Sequence, residues 1–274
     1  MTHLNALILG IIQGLTEFLP VSSSGHLVLA QHLLGMKEPI LFFDVMLHLG
    51  TLVSVLFYFR KDIVLLLRYF LKSGEVTGVD WLPAQADAGG YLLRMIIAMI
   101  PAAVAGVAVK HTIESMFASP LTVCVNLAIT GALLLWASAA RPGETSAARL
   151  PYWKVLLIGI AQAFALAPGI SRSGATIAAG LLLGVRRTDA ARFSFLLSIP
   201  AVAGATMLEI MKEGHNLTHA FSNATPVLIG TVTAMLMGIA AIYLVIETLR
   251  RGRLALFAFY CWAVAIIGFI ALKI

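Results

Sequence analysis

Residues 10–35 read GIIQGLTEFLPVSSSGHLVLAQHLLG, and residues 159–184 read GIAQAFALAPGISRSGATIAAGLLLG. Each stretch is an apolar run, then a proline beside hydroxyls and glycine, then a second apolar run. Helices are predicted at 4–19 and 26–35 and again at 153–167 and 175–185, broken around Pro20 and Pro168. The helix over 4–19 spans about 24 Å at 1.5 Å per residue, short of a bilayer core of about 30 Å. A short helix, a polar break and a short helix form the pattern of a re-entrant pair. Broken backbone at that depth is tolerated only where protein or a water-filled cavity satisfies it. The plainer alternative is two amphipathic hairpins lying at the membrane interface.

The rest of the chain agrees with a membrane setting. It has 274 residues, 60% of them hydrophobic and only 12% charged, with a mean hydropathy of +0.94. Apolar runs long enough to span are predicted at 41–59, 91–109, 121–140, 193–211, 225–249 and 254–272. The runs are apolar on all sides, unlike the alternating strands of a membrane barrel. The expected class is therefore an all-α polytopic membrane protein with six transmembrane helices plus two re-entrant helix pairs. It forms a single integral membrane domain over 1–274. The opening MTHLNA lacks a cationic region and a small-residue cleavage site, so no signal peptide is expected.

The two opening stretches align at a shift of 149 residues. Gly10 falls on Gly159, Ile11 on Ile160 and Gln13 on Gln162. Ser22 falls on Ser171, Ser24 on Ser173 and Gly25 on Gly174, and the LLG at 33–35 falls on the LLG at 182–184. This is an internal duplication, with halves starting near residues 4 and 153.

Charge orients the halves. The formal net charge of +6 comes from basic residues clustered at the ends of apolar runs, which indicates membrane orientation rather than nucleic-acid binding. Arg60, Lys61, Arg68 and Lys72 follow the first span. Arg141, Arg149 and Lys154 follow the third, and Arg250, Arg251 and Arg253 precede the last. With those loops cytoplasmic, the loops at 36–40, 110–120 and 212–224 lie outside. The repeats are then inverted, and their broken tips can meet near the bilayer middle, as in many transporters.

Polar groups at membrane depth are costly and usually face a cavity. The second tip offers Ser171, Arg172, Ser173 and Thr176 at the start of a helix, where free N–H groups favour anions. Arginine's planar fork suits phosphate oxygens. The first tip offers Ser22, Ser23, Ser24, His26 and Glu17. These supply a nucleophile, a proton carrier, and a base or metal-binding group. An anion site facing reactive side chains inside a membrane suits a phosphorylated lipid. In its hydrolysis Arg172 would stabilise phosphoryl charge, Ser23 or His26 would attack, and Glu17 would activate the serine or hold a divalent cation. The rival reading is a transporter or flippase of phosphorylated isoprenyl lipid, which would not need the reactive set Glu17, Ser23 and His26.

These stretches closely resemble the undecaprenyl-diphosphate phosphatase family of bacteria, linked to bacitracin resistance. The resemblance rests on Gln13-x-x-x-Glu17, then Pro20-Val-Ser-Ser-Ser-Gly-His26, then Pro168-Gly-Ile-Ser-Arg-Ser-Gly-Ala-Thr176. It covers essentially the whole chain. It implies hydrolysis of undecaprenyl diphosphate to the monophosphate carrier used in cell-wall assembly. The expected location is the bacterial plasma (inner) membrane, with the site opening toward the periplasmic side. Carried over by position, Glu17, Ser23, His26 and Arg172 are central, and Ser22, Ser24, Ser171, Ser173 and Thr176 support substrate binding. A divalent cation, Mg2+ or Ca2+, is the implied cofactor. Some relatives have two glutamates where this chain has Gln13 and Glu17; the resemblance then implies Glu17 and the Gln13 carbonyl oxygen as metal ligands with one negative charge fewer, and the cation is expected to come in mainly with the diphosphate. A different lipid-phosphatase motif, S-R-x5-H, is disfavoured because Ala178 stands at its histidine position.

Other polar residues have bland readings. Ser22 to Ser24 suit a helix cap. Asp44 and His48 lie one helical turn apart, as pocket-lining residues or as a structural pair. Arg186, Arg187 and Arg192 suit a cytoplasmic loop, and His111, His215 and His219 a solvated one. Cys124 and Cys261 lie in apolar runs as packing residues. The small-residue face from Gly230 to Gly238 can join helices within one chain or in a homodimer.

Overall fold

The computed structural model describes residues 1–36, 41–71, 88–141, 143–213 and 224–272. Lys72, His215, His219 and most of the expected outer loops at 36–40 and 212–224 lie outside the described residues. The first half contains α1 (His3–Phe18), α2 (Ser23–Leu33), α3 (Leu41–Tyr58), α4 (Arg60–Leu71), α5 (Ala88–Ala108), α6 (Lys110–Phe117) and α7 (Pro120–Ser138). The second contains α8 (Tyr152–Phe164), α9 (Arg172–Leu182), α10 (Arg187–Glu213), α11 (Ala224–Arg250) and α12 (Ala255–Ala271). The described residues are helical throughout except for connections and one isolated parallel bridge between Thr145 and Val185.

Among the described residues, four helices are long and apolar enough to cross a membrane: α5, α7, α10 over Arg187–Leu208, and α11. The expected span at 41–59 passes only together with α4, and the two are bent by 73°. The expected span at 254–272 is α12, whose 17 residues reach about 26 Å at 1.5 Å per residue. The structure therefore supports four spans, or five with the bent pair. The basic segment after α3 and the expected outer loop at 110–120 are also helical, as α4 and α6.

Both helix–break–helix units are present, but their second helices begin three residues before the predicted starts. The reason is capping. Ser22 Oγ accepts the Gly25 N–H at 3.3 Å, and Ser171 Oγ accepts the Gly174 N–H at 3.0 Å. Ser22, within the stretch that suits a cap, and Ser171, read as part of the break, thus initiate α2 and α9, since a capping hydroxyl satisfies a free amide of the first turn.

The halves interlock reciprocally. α1 packs on α11 from the second half, and α8 packs on α5 from the first. Repeat-related glycines sit at both crossings. A Cβ on Gly10 would lie 2.6 Å from the Gly230 carbonyl, and one on Gly159 would lie 2.5 Å from the Ala98 carbonyl. Close backbone approach through small residues holds apolar helices together where hydrophobic burial adds little. The small-residue face of α11 is occupied within the chain: Gly230 meets Phe43, and Gly238 meets Ser54 and Phe18. α12 packs along α7. The largest core cluster joins the end of α1 to α10, where Phe18 and Phe195 meet edge to face at 5.6 Å. That anchor fixes the residue before it, Glu17.

The two tips touch. A Cβ on Gly25 would lie 3.0 Å from Gly169 Cα, and Ser173 Oγ donates to the Leu19 carbonyl at 3.1 Å. α7 braces the second tip through Asn126 Nδ2 to the Pro168 carbonyl (2.7 Å) and Thr130 Oγ1 to the Gly169 carbonyl (2.9 Å). Ser171 N–H returns a bond to Thr130 Oγ1 at 3.2 Å. The Pro168 and Gly169 carbonyls and the Ser171 amide of that break are thus satisfied by side chains of α7, as irregular chain in an apolar surround requires.

Candidate active site

Glu17 is the penultimate residue of α1 and is buried. Its carboxylate gathers groups from both halves. Oε2 accepts from Ser23 Oγ at 2.6 Å and from Gln13 Nε2 at 3.0 Å. Oε1 accepts from Arg172 Nη2 at 2.8 Å. His48 Nε2 from α3 lies 3.8 Å from Oε2. Gln13 sits one turn before Glu17, so the two share a helix face.

Ser23 and Arg172 are the first residues of α2 and α9. They stand at equivalent positions of the duplication, and each side chain reaches a different oxygen of one carboxylate. The pseudo-symmetric frame thus builds an asymmetric pair, with a hydroxyl on one side and a fixed cation on the other. Arg172 also donates to the Ser194 carbonyl on α10 at 3.4 Å. Its guanidinium offsets the charge of Glu17, and leaving either partner alone at this depth would be costly.

The turn before Ser23 is unusual. Ser22 has φ +70°, whereas its counterpart Ser171 has φ −73°. In the second tip the left-handed turn falls on Gly169, at φ +91°. A serine in that region costs roughly 1–2 kcal/mol where glycine costs little. Strain of this kind concentrates where geometry serves function.

The remaining predicted residues divide by environment. Ser22, Ser171, Ser173 and Thr176 are buried, with hydroxyls engaged by the protein. Ser22 Oγ and Ser24 Oγ are 3.3 Å apart, and Ser171 Oγ and Ser173 Oγ are 3.2 Å apart, repeating one arrangement. Thr176 Oγ1 pairs with Ser194 Oγ at 2.6 Å. Ser23, Ser24, His26 and Arg172 are partly exposed. His26 is not among the groups bound to Glu17. Its Nδ1 bonds the Ser22 carbonyl at 2.8 Å and its Nε2 bonds Tyr260 Oη at 3.0 Å.

Four residues were not singled out by sequence reasoning: Ser194, Tyr260, Asn126 and Thr130. Asn126 alone carried a usable signal, as an amide within an apolar span. His48, read with Asp44 as pocket lining or as a structural pair, donates to the Asp44 backbone carbonyl at 2.7 Å, which turns Nε2 toward Glu17, while the Asp44 carboxylate accepts from Gln31 at 2.8 Å.

Among the described residues, no three His, Cys, Asp or Glu side chains group as a metal cage. Gln13 turns its amide N–H to Glu17 and leaves Oε1 buried without a partner. A hard cation would find one carboxylate oxygen pair and one amide oxygen here. Such a cation needs about six oxygens, so the chain's own donors fit it only beside a ligand that brings the others.

The family described as bacitracin resistance protein BacA matches residues 6–267. A protein of Desulforapulum autotrophicum named undecaprenyl-diphosphatase is 44% identical over 269 residues, covering 96% of this chain and 96% of its own. One of the same name from Methanobrevibacter smithii is 41% identical over 278 residues, covering 98% and 97%. Another from Rubrobacter xylanophilus is 43% identical over 267 residues, covering 96% and 95%.

Proposed function

This chain belongs to the bacitracin resistance protein BacA family, and on that premise we propose that it is a membrane phosphatase converting undecaprenyl diphosphate to undecaprenyl phosphate and inorganic phosphate. The observation that carries the reading is the 2.6 Å bond from Ser23 Oγ to a Glu17 carboxylate that Arg172 also holds. A hydroxyl donating to a positioned carboxylate is the arrangement of a nucleophile and its base. A binding site for transport alone gains nothing from it.

The reaction follows in two displacements. Ser23 Oγ attacks the terminal phosphorus in line with the bridging oxygen, and its proton passes to Glu17. The bond from phosphorus to the bridging oxygen breaks, and undecaprenyl phosphate leaves as the anion. Water then attacks the phosphoserine, its proton passing toward His26 by way of the group that meets Nε2, while Glu17 returns its proton to Ser23 Oγ as the serine–phosphorus bond breaks. Arg172, held at fixed distance from Glu17, stabilises the equatorial oxygens in both steps. His26 is the less suited nucleophile, because both ring nitrogens already have partners.

A magnesium or calcium ion would enter with the diphosphate, whose oxygens would complete its shell. Gln13 Oε1 and Glu17 are the protein oxygens that would meet it, and it would neutralise phosphate charge.

The same reading sets the molecule in the plasma membrane as six crossings and two re-entrant pairs in an inverted repeat, with the site open to the outer face. The reciprocal packing of α1 on α11 and α8 on α5 supports it. The product would return the lipid carrier to cell-wall synthesis, and faster recycling would raise bacitracin resistance.

The test is phosphate release from undecaprenyl diphosphate by the purified protein with magnesium. Arg172→Ala should lower turnover at least 1,000-fold, on the scale of losing a main charge partner. Arg172→Lys should rescue poorly, since a point charge lacks the planar fork. Near-normal release by Arg172→Ala would contradict the site.

A further inference from the structure

We propose that Tyr260, on α12, orients His26 and relays protons to and from its Nε2, passing its own hydroxyl proton to the ring as it takes one from the attacking water. The inference rests on the phosphatase reading and adds a residue to it. The Ser22 carbonyl can only accept, so His26 Nδ1 carries the hydrogen of their 2.8 Å bond. In the neutral ring Nε2 is then the bare nitrogen, and Tyr260 Oη donates to it at 3.0 Å. The two rings lie parallel, 6° between planes, with centroids 5.5 Å apart. The imidazole is therefore fixed by one bond on each nitrogen, beside a parallel ring.

The arrangement serves both protonation states. A tyrosine hydroxyl can donate or accept. When Nε2 takes a proton, Oη turns from donor to acceptor and the ring keeps its place. Tyr260 itself is half-exposed. Its ring faces outward while its hydroxyl reaches back to His26, an amphipathic use suited to a membrane protein. The hydrogen bond at Nδ1 sets which nitrogen is free, and Tyr260 meets the free one. That hydroxyl comes from the far end of the chain, so the meeting of α12 with α2 completes the proton carrier.

The experiment is a double-mutant cycle on phosphate release, with Tyr260→Phe, His26→Gln and both together. Tyr260→Phe keeps the ring and removes the hydroxyl. It should lower kcat about tenfold with KM within about twofold, and His26→Gln should lower kcat about 100-fold, at the low end for a proton carrier. The double variant should match His26→Gln alone. Multiplying losses would overturn the proposal, because Tyr260 would then act apart from His26. A second measurement needs no activity: nitrogen NMR of histidine-labelled protein, with the His26 signal assigned through His26→Gln. Tyr260→Phe should move the His26 Nε2 resonance, and an unmoved resonance would overturn the bond. If the parent releases no phosphate, the phosphatase reading fails, while the NMR result still decides whether Tyr260 holds His26.

Discussion

Replacing Glu17 by Gln keeps the shape of the side chain and removes its charge. Arg172 would then lack its anionic partner, and Ser23 would lack an acceptor basic enough to take its proton. Glu17→Gln is expected to lower phosphate release at least 100-fold, read on protein whose melting temperature in detergent is measured alongside. Ser22 offers a test with opposite signs at equivalent positions. Ser22→Gly removes a cap, costing only a few tenths of a kcal/mol, and relieves a left-handed serine worth roughly 1–2 kcal/mol. It should raise the melting temperature. Ser171→Gly has no such strain to relieve and should lower it. Equal shifts in one direction would contradict the strained turn. At this scale Glu17, Ser23 and Arg172 were legible because charge and reactive hydroxyls are expensive in apolar surroundings. Tyr260 and Ser194 were not, because a tyrosine or serine on an apolar helix is ordinary until its partner is known. His26 and Tyr260 are 234 residues apart.

Helix crossings carry the next level of the account. Gly10 and Gly159 admit no side chain without moving a facing carbonyl. Gly10→Val and Gly159→Val should each cost roughly 1–3 kcal/mol as overpacked contacts, read as a loss of thermal stability. Gly204 has open space around its would-be Cβ, so Gly204→Ala should be neutral or slightly stabilising. A tolerated valine at either crossing would contradict the reciprocal packing. The apolar runs made most helices legible. Their starts were less so, because Ser22 and Ser171 read equally as breakers or caps, and only the Oγ bonds to Gly25 and Gly174 decide between the two. The bend between α3 and α4 was also hidden, since Arg60 and Lys61 mark a membrane end whether the chain then turns to loop or to helix.

The S-x-S-G and LLG segments that recur at a shift of 149 residues are the feature of the whole molecule that the sequence displayed plainly. The interlocking of its halves was not displayed, because lipid-facing and packed apolar residues look alike in one sequence. Would-be Cβ of Gly174 lies 3.4 Å from Pro20 Cβ, close to disulfide spacing. In a background with Cys124 and Cys261 replaced by Ala, and Ser171 by Gly because its Cβ lies 2.9 Å from a Cβ on Gly174, Pro20→Cys with Gly174→Cys should form an internal cross-link under mild oxidation. Absence of that link in folded protein would count against tips that meet. The inverted arrangement has its own check, in labelling Leu33→Cys and Leu182→Cys in separate variants of the same background. Membrane-impermeant reagent should reach them from opposite sides, and labelling of both from one side would refute the inversion.

The central claim is that Ser23, activated by Glu17, takes the phosphoryl group. Its most direct test is a rapid quench in neutral denaturant, which spares acid-labile phosphohistidine, of the protein turning over undecaprenyl diphosphate labelled in the terminal phosphate, followed by mass spectrometry of the peptide containing residues 14–26. The account predicts transient phosphate on Ser23, absent in Ser23→Ala. Label on His26, or phosphate release by Ser23→Ala at the parent's rate, would contradict it.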